Sequence, residues 1–108
     1  MTEVDSAALV SRIRAEVQAD LGSLTPHLRR WIDAHLVEPC LIDVFEHPEG
    51  SDMRRVWAVT GDTGVQDSSC RVVYDPEARA FGLEMTLANG RPWYMGVYGT
   101  FAEAVQNM

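Results

Sequence analysis

Asn89-Gly90 stands between two runs that alternate large apolar residues with small or polar ones, Phe81 to Leu87 and Trp93 to Tyr98. Asparagine followed by glycine in that setting is the strongest short-range hairpin signal, because both central residues of a type I′ turn need positive φ. Thr100-Phe101-Ala102-Glu103 follows at once and reads as a capping box that opens a short final helix. A hairpin followed by a helix is therefore predicted for the end of the chain.

The start is helical. Val10, Ile13, Val17 and Leu21 recur at spacings of three and four, with Leu9 widening the stripe, which predicts a helix from about Asp5 to Leu21 ended by Gly22. Thr25 suits an N-cap and Pro26 the first position of a second helix. Leu28, Trp31, Ile32, His35 and Leu36 form its apolar stripe, and Pro39 stops it. Strands are then predicted over Leu41 to Glu46, Met53 to Thr60 and Ser69 to Tyr74. Turn-rich stretches separate them at His47 to Asp52, Gly61 to Gly64 and Asp75 to Ala78. The expected fold is α+β in one domain over residues 1–108: a helix pair packed on one face of a five-stranded, mainly antiparallel meander, with a short C-terminal helix.

Register predicts the faces. A two-residue turn at Asn89-Gly90 sets Met85 opposite Tyr94, Leu83 opposite Gly96 and Phe81 opposite Tyr98. A four-residue loop at Asp75 sets Tyr74 opposite Phe81, Val72 opposite Leu83, Cys70 opposite Met85 and Arg71 opposite Glu84. The helix-facing side then collects Cys70, Val72, Tyr74, Phe81, Leu83, Met85, Leu87, Tyr94 and Tyr98. The opposite face carries Arg71, Glu84 and Thr86 beside an apolar strip of Trp93, Met95 and Val97. A solvated face of an antiparallel sheet is ordinarily polar, so this strip is expected to be covered. Its cover is the C-terminal helix or a loop, a partner or second copy, or a small ligand walled by Trp93 and oriented by Glu84, Arg71 and Thr86. The second strand's side, and with it the place of Trp57, is left open by the loop from Gly61 to Asp67.

Composition narrows the function classes. The 108 residues carry a net charge of −7, and all nine bases are arginine. A balance this acidic argues against nucleic-acid binding, which draws most of its affinity from phosphate neutralisation. No apolar run approaches the roughly 20 residues of a membrane span, and Glu3 and Asp5 stand where a secretory signal needs basic residues. A soluble protein is expected. Cys40 and Cys70 make no disulfide framework, which suits a reducing cytoplasm.

Motifs for chemistry are weak. Asp62-Thr63-Gly64 resembles the Asp-Thr-Gly of aspartic proteases, in which two such carboxylates share a proton, and Tyr94-Met95-Gly96 resembles the segment packed near it. That resemblance covers six residues in a chain that opens with two helices, where those proteases are almost wholly strand. A glycine-rich turn accounts for the triplet. His35, Cys40, Asp43 and His47 lack the tight pairs of a zinc site, and no metal or cofactor is expected. Cys70 is expected to point into the core and Cys40 stands just past the second helix, nothing in the sequence ties either to a base, and Gly61 to Gly64 lacks the lysine of a phosphate loop.

The expectation is thus a non-enzymatic binding module for another protein or for a second copy of itself as a homodimer, through Arg71, Glu84, Thr86, Trp93, Met95 and Val97. One form is an acidic antagonist of a basic protein, in the manner of immunity proteins, on size and charge alone. The alternative is a small-molecule pocket around Trp93 and Glu84, and an enzyme comes third.

Overall fold

The computed structural model describes residues 3–61 and 70–108, with side chains from Ser6 onward. Helix α1 (Glu3–Leu21) and helix α2 (Pro26–His35) precede strands β1 (Leu36–Phe45), β2 (Met53–Thr60), β3 (Cys70–Asp75), β4 (Ala80–Thr86) and β5 (Pro92–Gly99). Helix α3 (Phe101–Gln106) ends the chain. The α+β arrangement is as the sequence predicts, and the five strands go further by closing into a barrel in chain order.

Local chemistry sets the helix ends. The Thr25 hydroxyl accepts from Leu28 N at 3.3 Å, and Pro26 begins α2. Thr100 and Glu103 form the reciprocal capping box: Thr100 Oγ1 accepts from Glu103 N at 3.2 Å and Glu103 Oε1 from Thr100 N at 3.1 Å. Helix α2 stops four residues earlier than Pro39. Leu36 is already extended, and Pro39 falls inside β1 at a register irregularity between Leu36 and Cys40, where a missing N–H costs least.

Two cores flank the barrel wall. On the outside, Ile13, Val17, Leu21 and Ile32 of the helices meet Trp57, Val59, Val72, Tyr74, Phe81 and Leu83, with Phe101, Ala104 and Val105 of α3 completing the cluster. Trp57 is therefore core. Phe81 sits edge-on between Tyr74 (5.1 Å) and Phe101 (5.5 Å), an arrangement that favours aromatic pairs. On the inside, Val44, Val56, Val73 and Tyr94 form a smaller cluster.

The β3–β4 register is the predicted one: Cys70 opposes Met85, Arg71 Glu84, Val72 Leu83 and Tyr74 Phe81. Between β4 and β5 the structure corrects the prediction. Leu87 N donates to Arg91 O at 2.9 Å and Gly90 N to Leu87 O at 2.8 Å, while Asn89 Oδ1 accepts from Arg91 N. In this turn Gly90 has positive φ (84°) and Asn89 does not. The connection is thus a three-residue loop ending on a left-handed glycine, not a two-residue type I′ turn. The slip sets Met85 opposite Trp93 and Glu84 opposite Tyr94. A bulge at Met95 then restores Leu83 to Gly96, and a second at Tyr98 sets Phe81 opposite Gly99. Tyr94 consequently points into the barrel, and Met95 packs with Tyr98 on the helix side.

Candidate functional site

The six residues expected to form one contact face do not share it. Glu84 is fully buried in the barrel wall, and its carboxylate takes a two-pronged bond from Arg71, Nε to Oε2 at 3.0 Å and Nη2 to Oε1 at 3.2 Å. Met95 belongs to the helix-side core, Thr86 is exposed opposite Pro92, and Val97 is exposed opposite Gly82. Trp93 is half-buried beside Met85. Neighbours on a strand point to opposite faces, so Trp93 and Met85 look outward while Glu84 looks inward. A face built from Trp93 together with Arg71 and Glu84 is thereby corrected, because the three-residue turn reversed the side chains of Trp93 and Tyr94.

What Trp93 does join is visible from register alone. Met53 opposes Phe45 across β2–β1, Phe45 opposes Trp93 across the barrel seam, Trp93 opposes Met85, and Met85 opposes Cys70. Directly paired residues lie on one face, so each strand contributes one member to a lateral outer belt. Met53 is 49% exposed and the others are half-buried. None of the five enters either core cluster. Sequence reading missed Phe45 and Met53, although their position beside the His47 to Asp52 turn marks them as a hairpin's last pair.

Charge surrounds the belt. Glu46, His47 and Asp52, which flank Phe45 and Met53 in sequence, bring one donor atom each within 4.8 Å of one another. Glu46 is already bonded to Arg54 Nε at 3.0 Å, and His47 and Asp52 are exposed, which suits a solvated acidic rim better than a closed metal cage. The guanidinium of Arg91 lies over the Phe45 ring, 3.5 Å from its centroid, and donates to the carbonyl of Gly50, so it ties the β4–β5 turn to the β1–β2 loop.

A second polar cluster lies at the barrel mouth. Arg54 Nη1 reaches Asp75 Oδ2 at 2.8 Å and Glu77 Oε2 at 3.2 Å, and the Tyr94 hydroxyl donates to Asp75 Oδ2 at 2.9 Å. Burial, then the hydrogen bond and charge of Asp75, raise the Tyr94 phenol well above its ordinary value, with Arg54 opposing. Burial alone lowers the Arg54 pKa. The bond from Glu46 and the charges of Asp75, Glu77 and Glu46 outweigh it and leave it raised. One guanidinium thus serves three carboxylates, and Tyr94 donates to the most buried of them, which ties β2, β3 and β5 together at this end of the barrel.

Candidates for chemistry stay apart. Both cysteines are free, and burial with the nearby Glu84 charge raises the Cys70 thiol, which keeps it a poor nucleophile. His35 stacks on Trp31 at 4.3 Å and shares a 2.7 Å hydrogen bond with its carbonyl. Asp62-Thr63-Gly64 lies outside the described residues. A cleft of about 380 Å³ lined by Ser6, Leu9, Leu41, Arg55, Trp57 and Pro76 is largely apolar. No helix is long and apolar enough to cross a membrane among the described residues. No protein-family model matches this chain, and comparison with curated proteins and with solved structures gives no match either.

Proposed function

We propose that this chain is a binding module that docks a basic partner protein on the outer belt of Met53, Phe45, Trp93 and Met85. The observation that carries this reading is the belt itself: four large apolar side chains in lateral register, outside both cores. Exposed apolar patches with a polar rim mark interaction sites, and tryptophan is a favoured anchor at them.

Charge selects the partner. Arg12, Arg14, Arg29, Arg54, Arg55 and Arg71 are committed to internal ion pairs. The surplus of acid remains on the surface, and Glu49 and Asp52 at the belt's rim form no ion pair among the described residues. Two copies at −7 each repel, which favours a basic partner over self-association. Its apolar side chains cover Met53, Trp93 and Met85, the Phe45 ring being already covered by Arg91, and its lysines or arginines face Glu49 and Asp52.

The test is a titration, followed by tryptophan emission, with synthetic peptides that alternate arginine and leucine, and with charge-reversed glutamate–leucine controls. The basic peptides bind, more weakly at high salt, and Met53→Glu lowers their affinity about tenfold or more. Equal binding of both peptide sets, or a concentration-dependent dimer that Met53→Glu dissolves, overturns the reading.

A further inference from the structure

The barrel closes through one residue pair. Neighbouring strands elsewhere pair at more than one residue among the described residues: seven between β1 and β2, two between β2 and β3, six between β3 and β4 and six between β4 and β5. Strands β1 and β5 meet only at Phe45 and Trp93, in parallel. On either side of that bridge, among the described residues, neither strand has a partner across the seam. Burial agrees. Strand β3 is buried at four of its six positions and β4 at four of seven, whereas β5 is buried only at Tyr94 and β1 only at Pro39 and Val44.

The two free edges differ. Strand β1 carries Glu38, Pro39 and Asp43, features that discourage pairing with another chain. Strand β5 after Pro92 reads Trp-Tyr-Met-Gly-Val-Tyr-Gly, without a charge or a second proline. Its glycines at φ 111° and 116° bend it, so whatever follows this edge is short and strongly twisted.

We infer that the free edge of β5 beyond its bridge at Trp93, from Tyr94 to Gly99, is a strand-addition site, on which the basic partner lays a short extended segment past the end of β1. This deepens the reading above and rests on it: the lateral belt and the free edge meet at Trp93, which places both within reach of one partner. Backbone N–H and C=O groups of the segment pair with those of β5, and every second side chain turns to the outer face that carries the belt. A second copy of this chain is the poorer occupant, because edge pairing would bring two like-charged barrels into contact.

Two measurements test it on the whole chain. In amide hydrogen exchange on the free protein, the β5 amides that face away from β4 exchange about a hundredfold faster than those of β3. If β5 is protected as uniformly as β3, the seam is closed in solution and the inference falls. The arginine–leucine peptide is then compared with the same peptide N-methylated at alternate residues, which removes the N–H groups of one edge. Strand addition predicts about a tenfold or greater loss of affinity on methylation and slowed exchange in Val97 to Gly99 on binding. Equal affinity for both peptides, with Met53→Glu still abolishing binding, overturns the strand and leaves the belt. No binding by either peptide overturns both.

Discussion

The β3–β4 hairpin and the β5–β1 seam are two pairings in one sheet, and they are held by different means. Strands β3 and β4 pair continuously from Cys70–Met85 to Asp75–Ala80, with helices α1 and α3 over one face and a buried ion pair on the other. The seam has one bridge, an arginine stacked over it, and exposed strands on both sides. Stability is concentrated where pairing, burial and charge satisfaction coincide. Surface available to a partner lies where they do not.

The comparison breaks most readily at Arg71. Removing it leaves the fully buried Glu84 carboxylate without its partner, and breaking a buried pair in this way costs about 3–5 kcal/mol. Arg71→Ala should therefore lose about 3 kcal/mol or more of unfolding free energy in a denaturant titration. The double variant Arg71→Met with Glu84→Leu should recover most of that loss, since an apolar pair of similar volume is often no less stable. A harmless Arg71→Ala would mean that the β3–β4 wall is no better held than the seam.

Gly82 tests the same wall from the backbone. A Cβ there would stand 2.2 Å from Gly96 O and 3.0 Å from the Tyr94 ring, closer than any packing tolerates. Gly82→Ala should push β5 off β4 and cost about 1–3 kcal/mol, read as a lower melting temperature with the β3 amides still protected. Loss of protection in β3 as well would show that the two hairpins do not yield separately.

How legible these regions were in the sequence follows the same division. The β3–β4 register was readable because Asp75-Pro76 fixed where the loop begins, and the apolar alternation of Val72, Tyr74, Phe81 and Leu83 allowed one alignment. At Trp93 and Tyr94 the faces of β5 are not legible, because Asn89-Gly90 serves equally in a two-residue and a three-residue turn. Local composition does not choose between them. What decides is the fit of Tyr94 into the barrel beside Val44, Val56 and Val73 and its bond to Asp75. The belt was hidden for a further reason: Phe45 and Trp93 are far apart in sequence, and closure of a barrel through a single parallel bridge leaves no local signal.

Tyr94 gives the comparison a pH axis. Its phenol pKa is raised in the folded protein, so the neutral form is favoured there. The sign follows: this stabilisation is complete below the ordinary phenol value of about 10 and is lost as pH rises above it, at up to about 1.4 kcal/mol per pH unit. Tyr94→Phe should cost about 1 kcal/mol at pH 7, the worth of its hydrogen bond to Asp75. It should also flatten the loss of stability above pH 10 relative to the unaltered chain. Parallel alkaline curves for the two proteins would show that the barrel mouth opens before Tyr94 ionises.

The smallest expected change in stability is the one that separates the two regions most cleanly. Met53 is half exposed and touches neither core, so Met53→Glu should alter unfolding free energy by no more than about 0.5 kcal/mol. It nevertheless places a carboxylate in the belt beside Phe45, among Glu46 and Asp52, where a docked apolar surface would have to bury it. Burial of an unpaired charge costs far more than the methionine contributed, so binding of basic peptides should fall while the melting temperature stays in place. Destabilisation by Met53→Glu would instead make the belt part of the fold's own packing, and the contrast between a wall that holds the barrel and a seam that offers it to a partner would disappear.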